Sequence, residues 1–150
     1  MGPKGHRDLS KDAITAFSSY FTPADIEKII MANIGVDITN PAQNAAHYMP
    51  GTCKEAAWII NKSLEMAIQL EIAGLHEAAL YFLAMGLHTL QDKFAHFEQN
   101  AGWAEHFRKG PSPDDPLAHP IEYLRARKAS MDYIGRFIEE VTRRRVVSYR

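Results

Sequence analysis

Three side chains near the middle of the sequence have the types and the spacing of metal ligands. His88, Asp92 and His96 follow one another at intervals of four residues. On a helix of 3.6 residues per turn, a step of four advances about 40° beyond a full circle, so all three lie within roughly 80° on one face. Imidazole nitrogens and carboxylate oxygens are ligands of reactive zinc sites, which keep a coordination position for water. The spacing therefore predicts the centre of a metal site, with zinc as the expected ion.

The same residues also admit a structural interpretation without a metal. Asp92 would then pair with a neighbouring histidine or with Lys93, and the histidines would be polar residues at helix contacts. The surrounding segment is strongly apolar, however, and burying an unpaired carboxylate there would cost several kcal/mol. A divalent cation would meet that need directly. The pattern of the helix leaves both interpretations open.

Two other segments supply residues of the same types. Asp37 lies in the segment that follows the second predicted helix, and His47 comes ten residues later. His6 lies near the start of the chain. We expect these side chains to reach the central helix from outside it, which would enlarge the ligand set.

Helical periodicity dominates the chain, because apolar residues recur at spacings of three and four and strict alternation is nearly absent. We predict an all-α bundle of about five helices that forms a single domain over residues 1–150. A first helix is expected to start after Ser10, whose hydroxyl would cap it. Thr22 would cap a second helix, which has Pro23 at its first position and ends near Gly35. A loop from Asp37 to Gly51 would follow.

The second half of the chain contains the longer predicted helices. Thr52 and Glu55 form a capping-box pattern for a third helix that continues towards Gly74. A fourth, central helix takes up residues 75 to about 99 and carries the predicted metal ligands. Residues 100–120 read as a long surface loop with one short turn around Trp103. The last helix begins near Pro120 and ends in a basic run at residues 143–145.

Composition excludes several classes of protein. The net charge is −1, so no global field would recruit nucleic acid or an anionic membrane. Cys53 is the single cysteine, which excludes a disulfide framework and a cysteine-rich zinc site. No apolar run is long enough to predict a membrane span. The start of the sequence shows no signal peptide, so we expect a cytoplasmic protein, with a removed leader as the alternative.

The segment Gly86–His96, with Asp37 and His47 upstream in the same order, resembles the central motif of a known enzyme superfamily. This is the zinc-dependent phospholipase C and single-strand-specific nuclease superfamily, in particular its branch related to the fungal heterokaryon-incompatibility C protein. The similarity extends from His6 to His96, and the last helix is compatible with it. The resemblance implies an all-helical fold and one to three zinc ions, with two as the expectation.

The resemblance also implies roles for individual residues. Asp37, His47, His88 and Asp92 would hold one zinc ion, and His6 would hold a second together with Asp92 as the bridging carboxylate. The superfamily's third zinc uses a histidine six residues beyond the bridging aspartate, whereas His96, a candidate from helix geometry, lies four beyond it; His106, His119 and Glu122 are the possible substitutes. Asp37 would be either a ligand or the general base that orients the attacking water.

These residues together predict a metal-dependent phosphodiester hydrolase that uses metal-activated water on a phospholipid or a nucleic acid. The alternative is a non-catalytic relative in which the metal is structural and another surface binds a partner or a membrane. His76 and His106 are predicted to be dispensable, as solvated or helix-surface residues. The aromatic residues Phe94, Phe97 and Trp103 would be core residues or an apolar wall of the site. The basic run, with Arg136 and Arg150, would hold phosphates or be a solvated helix end.

Overall fold

A computed structural model of the chain describes residues 3–40, 42–97 and 119–148. These residues form five α-helices and no β-strand. The helices are α1 (Pro3–Thr15), α2 (Pro23–Thr39), α3 (Cys53–Ile72), α4 (His76–Asp92) and α5 (Pro120–Ser148), and a π-helical turn at Lys93–Phe97 follows α4 directly. The predicted all-α bundle is confirmed. No helix within the described ranges is long and apolar enough to cross a membrane.

Helix α4 is the central element, because it packs against α2, α3 and α5. Leu80, Leu83 and Leu87 of this helix are buried in the main core. The same helix carries His88, the residue after Leu87, and Asp92 about one turn further on, and both are fully buried. The apolar packing that fixes α4 therefore also fixes the position of the two predicted ligands.

The beginning of α2 agrees with the prediction, and its end does not. The Thr22 hydroxyl accepts a hydrogen bond from the Asp25 backbone amide at 3.2 Å, and the Asp25 carboxylate accepts one from the Thr22 backbone amide at 3.0 Å. This is a complete capping box. The predicted stop at Gly35 is wrong, because the helix continues to Thr39 and Gly35 does not adopt the left-handed conformation of a C-terminal glycine. Asp37 consequently lies on the last turn of a helix and not in a loop.

The predicted start of the first helix is also wrong. Helix α1 begins at Pro3, not after Ser10, and ends at Thr15. Ser10 lies inside the helix, is fully buried, and accepts hydrogen bonds from two buried amide side chains, those of Asn33 and Gln91. Its hydroxyl therefore serves the interior of the bundle and caps nothing. The earlier start places His6 on a helix, where its position is fixed.

Helices α3 and α4 form an antiparallel hairpin through Gly74, which has a φ of 78° and ends α3 as predicted. The predicted capping box at Thr52 is not formed, because the Thr52 hydroxyl donates to the Met49 carbonyl at 2.7 Å. The fourth helix was expected to run to about residue 99. Its α-helical part ends at Asp92, and the π-helical turn extends it to Phe97. Helix α5 begins at Pro120 as predicted, whereas most of the predicted loop at 100–120, with its turn at Trp103, lies outside the described residues.

Candidate metal centre

Four parts of the fold bring all six predicted ligands to one place inside the bundle. α1 supplies His6 and the last turn of α2 supplies Asp37, while His47 comes from the connection between α2 and α3. α4 and the π-helical turn supply the remaining three. We call the set formed by His6, Asp37, His47, His88, Asp92 and His96 the His/Asp cluster.

Asp92 is the centre of the cluster, and its two carboxylate oxygens face different histidines. Oδ2 lies 3.1 Å from His47 Nδ1 and 3.1 Å from His88 Nε2. Oδ1 lies 3.2 Å from His6 Nε2 and 3.4 Å from His96 Nε2. The Asp92 side chain is fully buried. A carboxylate with two histidines near each oxygen has the arrangement of a ligand that could bridge two metal ions.

Asp37 is the member of the cluster closest to solvent. Its Oδ1 lies 3.7 Å from both His47 Nδ1 and His88 Nε2, and its side chain is 23% exposed. His6, His88 and Asp92, in contrast, are 0% exposed. One ligand atom from each of His6, Asp37, His88 and Asp92 lies within 4.8 Å of the others. A small ligand would therefore enter the cluster on the side of Asp37.

Three of the four imidazole rings also contact an acceptor oxygen on the side away from Asp92. His6 Nδ1 lies 2.7 Å from the Gln91 side-chain oxygen, and His88 Nδ1 lies 3.3 Å from the Asn33 side-chain oxygen. His47 Nε2 lies 3.0 Å from the Asn40 backbone carbonyl. All three partner atoms are acceptors, so each ring can donate a proton outwards, which is the tautomer that a metal ligand needs. The other nitrogen of each ring faces Asp92.

This arrangement gathers electron-rich atoms at one point. His6 Nε2 and Asp37 Oδ2 are buried and make no hydrogen bond. When the outer nitrogen of a neutral imidazole carries the proton, the inner nitrogen has a lone pair, and this lone pair and an Asp92 oxygen at about 3 Å repel each other unless a cation lies between them. Metal-binding histidines characteristically donate their second N–H to a carbonyl or carboxylate oxygen. The donor set thus fits a divalent cation, and the buried cluster could hold a metal ion.

The pKa values of the buried histidines follow from the same surroundings. Burial, together with the proximity of His6, lowers the pKa of His88 to about 4. Burial also lowers the pKa of His6, against the attraction of Asp92. Both rings are neutral near pH 7 and hence competent as ligands. For His47 burial lowers the pKa, but its hydrogen bond and charge interaction with Asp92 outweigh that effect and raise the pKa overall.

The two carboxyl groups shift in opposite directions. Burial alone would raise the pKa of Asp92, but the surrounding histidines His6, His88 and His96 help to hold it well below its usual range. Burial raises the pKa of Asp37, and the Asp92 charge adds to that increase against the effect of His88. Asp92 is thus the permanent anion of the cluster, and Asp37 is the carboxyl group that takes up a proton more easily.

A second layer of buried polar groups holds the histidines, and the sequence did not predict it. Gln91 Oε1 accepts from Asn33 Nδ2 at 3.2 Å, while Gln91 Nε2 lies 3.1 Å from Ser10 Oγ and 3.3 Å from Ser130 Oγ. All four residues are fully buried. Their uncharged side chains do not look like ligands in a sequence. The available signal was a glutamine beside Asp92 in a strongly apolar helix, where a polar side chain needs a partner.

The connection that carries His47 has an uncommon backbone conformation. Tyr48, the next residue, has a φ of 49°, in the left-handed region that residues other than glycine rarely adopt. Tyr48 is buried, and backbone hydrogen bonds from Tyr48 to Ala45 and from Met49 to Asn44 close the turn. The turn directs His47 towards Asp92 at a conformational cost of about 1 kcal/mol.

The remaining candidates lie elsewhere. His76 is a partly exposed residue on the surface of α4, as predicted, but its ring also lies 2.7 Å from Glu71 and 3.2 Å from Asp25, away from the cluster. Phe94 packs in a small apolar cluster with Leu9 and Ala126, and is a core residue. His119 and Glu122 form no part of the cluster, and His106, Trp103, Arg150 and the Phe97 side chain lie outside the described residues.

The arginines of the basic run near the end of α5 form ion pairs with glutamates. Arg143 pairs with Glu140 at 2.6 Å, and Arg144 binds Glu65 through two nitrogens at 2.9 and 3.0 Å. Arg145 lies 2.8 Å from Glu71. Arg144 and Arg145 tie α5 to α3, whereas Arg143 pairs within α5, and both kinds of pairing favour the structural interpretation of the run over a phosphate site.

The chain has been compared with known protein families, with curated proteins and with solved structures, and none of the three comparisons found a match. The class that the fold and the site define is therefore an all-α helical bundle with a buried histidine and aspartate cluster able to hold a metal ion.

Proposed function

We propose that this protein is a zinc-dependent phosphodiester hydrolase. The observation that carries the proposal is the convergence of four imidazole rings on Asp92, three of which have an acceptor oxygen on their outer side. Structural zinc sites are mostly cysteine-rich and closed, whereas histidine and carboxylate ligands with an accessible side are typical of hydrolytic sites. The resemblance of Gly86–His96 to the zinc-dependent phospholipase C and nuclease superfamily supports the same activity.

The two carboxylate oxygens of Asp92 contact different histidines, and this division favours two zinc ions over one. The Oδ2 face and the Oδ1 face are the two sides of the cluster at these oxygens. On the Oδ2 face, His47, His88 and Asp37 would hold the first ion. On the Oδ1 face, His6 and His96 would hold the second, with Asp92 as the ligand shared by both. Zinc in such a site lowers the pKa of bound water towards 7 and neutralises charge on phosphoryl oxygens.

The protein's own groups would then divide the remaining tasks. Asp37 lies at the solvent side, and its Oδ2 is without a hydrogen bond, so it can orient a water molecule or accept its proton. Asn33, Gln91 and the Asn40 carbonyl keep the imidazole rings fixed, so that no reorganisation is needed during the reaction. The substrate class is a phosphodiester of a lipid or a nucleic acid.

The complete burial of His6, His88 and Asp92 favours a second candidate function. A metal held there would join α1, α2 and α4 and would stabilise the bundle without access for a large substrate. In that case the protein would be a non-catalytic relative whose metal is structural, with another surface available for a partner or a membrane.

The decisive experiment starts with the purified chain, stripped with a chelator and then loaded with zinc. We expect up to two zinc ions per chain by mass spectrometry under native conditions and zinc-dependent hydrolysis of bis(p-nitrophenyl) phosphate. Asp92→Ala should abolish both zinc binding and hydrolysis. Full zinc content in Asp92→Ala would show that the cluster is not the metal site. His76→Ala serves as the matched control, with unchanged zinc content and activity, because His76 lies away from the cluster.

Two further variants separate the candidates. Asp37→Asn should reduce hydrolysis far more than zinc content if Asp37 handles the proton. His96→Ala should reduce the zinc content by one ion and leave the Oδ2 face occupied. Near-stoichiometric zinc without hydrolysis of any phosphodiester, for all metal loadings, would establish the structural role instead.

A further inference from the structure

A cavity of about 310 Å³ lies between α3 and α4, next to the His/Asp cluster. Its lining includes residues from Trp58 to Met66 on α3 and from Phe82 to Thr89 on α4. With a rise of 1.5 Å per residue, the lined stretches are about 12 Å and about 10 Å long. Ala46, from the connection between α2 and α3, also contributes to the wall. A volume at the small end for ligand pockets is thus drawn out along two turns of two helices.

The walls of this cavity are mostly apolar and adaptable. Met66 and Met85 contribute thioether chains, Phe82 contributes a ring, and Val36 and Ile59 contribute branched aliphatic side chains. Methionine side chains adjust their shape to flexible apolar ligands. A long cavity of small volume with such walls fits one extended alkyl chain better than a fused ring system.

One cation lines the cavity. Lys62 is exposed, and within the part of the chain that the structure describes it forms no ion pair, whereas Lys28 and Lys128 are each paired with a carboxylate. Trp58, one turn before Lys62 on α3, also lines the cavity and is 65% exposed. An exposed tryptophan beside an unpaired lysine offers an apolar contact and a positive charge at the same opening.

We propose that the cavity binds a single-chain amphiphile, with the alkyl chain between α3 and α4 and an anionic head group at Lys62. Charge complementarity at the mouth and the elongated apolar interior select this occupant together. The site does not require the metal and does not rest on the proposed hydrolase activity. It is nevertheless a neighbour of the cluster, because Val36, Ala46 and Thr89 of its wall adjoin Asp37, His47 and His88 in the sequence.

Tryptophan fluorescence gives a direct test. In a Trp103→Phe background Trp58 is the only tryptophan, and octanoate or octyl phosphate should shift its emission saturably. The two anions distinguish a carboxylate head from a phosphate monoester head. Butyrate should not bind, and octyl glucoside should bind about fivefold more weakly than octanoate, as expected for the loss of one exposed charge interaction. Equal affinity for octyl glucoside, or no saturable binding of either anion, would overturn the proposal.

Variants locate the site by calorimetry, with folding verified by circular dichroism. Lys62→Met should weaken octanoate binding about fivefold, whereas Lys62→Arg should retain it. Lys54→Met removes an exposed lysine of α3 that does not line the cavity, and should have no effect. Met66→Trp should fill the cavity and abolish binding, with the exposed Tyr81→Trp on α4 as its control.

Chelator-treated protein separates this site from the metal centre. We expect the same octanoate affinity with and without zinc, even if the chain hydrolyses no phosphodiester. Unchanged affinity in both Met66→Trp and Lys62→Met would place the ligand elsewhere and refute the assignment.

Discussion

Replacing Gln91 by methionine removes the hydrogen bonds of its amide while keeping the length and much of the volume of the side chain. Gln91 Oε1 accepts from His6 Nδ1 and Asn33 Nδ2, and its Nε2 donates to Ser10 Oγ and Ser130 Oγ. Without the amide oxygen, nothing holds the proton of His6 on Nδ1. The ring can then turn or change tautomer, and Nε2 loses its fixed orientation towards Asp92.

The expected effect on metal binding follows from the role of such outer partners. Loss of a hydrogen bond to a metal-binding histidine typically costs about 10–100-fold in metal affinity, which corresponds to about 1.4–2.7 kcal/mol. The metal-free protein should also lose about 1–3 kcal/mol of stability, because buried partners lose their hydrogen bonds. The cost should stay in the lower part of that range, since the Asn33 amide and the Ser10 hydroxyl still bond to each other at 3.2 Å.

Competition with a chromophoric zinc chelator measures the affinity, and urea unfolding of the chelator-treated protein measures the stability. Gln69→Met is the matched control, because Gln69 is an exposed glutamine whose amide bonds only to Glu65 on the same helix. We expect zinc affinity to fall in Gln91→Met and to stay unchanged in Gln69→Met. Equal zinc affinity for Gln91→Met and the parent protein would refute the argument that the amide orients His6.

Two further predictions concern parts of the bundle away from the ligands. Burial lowers the pKa of His76, but Glu71 and Asp25 outweigh that effect and raise the pKa overall. The ion pairs of protonated His76 therefore stabilise the folded protein fully below the unfolded pKa of about 6.5. This stabilisation is lost as the pH rises through the higher pKa of the folded state. The melting temperature of His76→Gln should thus fall furthest below that of the parent protein in mildly acidic buffer, and a difference independent of pH would contradict the ion-pair role. Gly86→Ala should destabilise the fold by about 1–3 kcal/mol in urea, because its new methyl group would overlap the buried Tyr133 hydroxyl. Tyr133→Phe alone should be neutral or stabilising, since that hydroxyl makes no hydrogen bond, and it should recover part of the Gly86→Ala loss.

Gly35→Ala is the control for the glycine prediction. A Cβ at this position would meet nothing within 4 Å. The helix should gain about 0.5–1 kcal/mol from the replacement of an interior glycine. A loss comparable with that of Gly86→Ala would mean that the Tyr133 contact is not the cause.

The all-α fold and the ligand face on α4 could be predicted because both depend on local periodicity. His88 and Asp92 are four residues apart, so helical geometry alone places them on the same face of α4. The beginning of α2 was equally accessible, since Thr22, Pro23 and Asp25 act within one turn. These features need no knowledge of tertiary contacts.

The errors arose where a tertiary partner decides what a residue does. Ser10 resembles a cap in the sequence, but buried amides bind its hydroxyl from α2 and α4. Gly35 resembles a helix stop, yet the helix continues and gives Asp37 a fixed backbone. For the same reason Asn33 and Gln91 had no predicted role, because their importance comes from histidines on other elements.

If the cluster holds a metal ion, as proposed, it also links the population of folded protein to the supply of that ion. Its residues come from α1, α2, the connection after α2, and α4 with its π-helical turn, so an unfolded chain cannot present them together. A ligand that binds only the folded state stabilises it by about 2.7 kcal/mol at one hundred times its dissociation constant. Metal starvation would therefore lower the amount of folded protein as well as the metal occupancy of the cluster. If that ion is zinc, a cell that exports or sequesters zinc would expose more of this chain to proteolysis, and the proposed site would then also set how much of the protein is present.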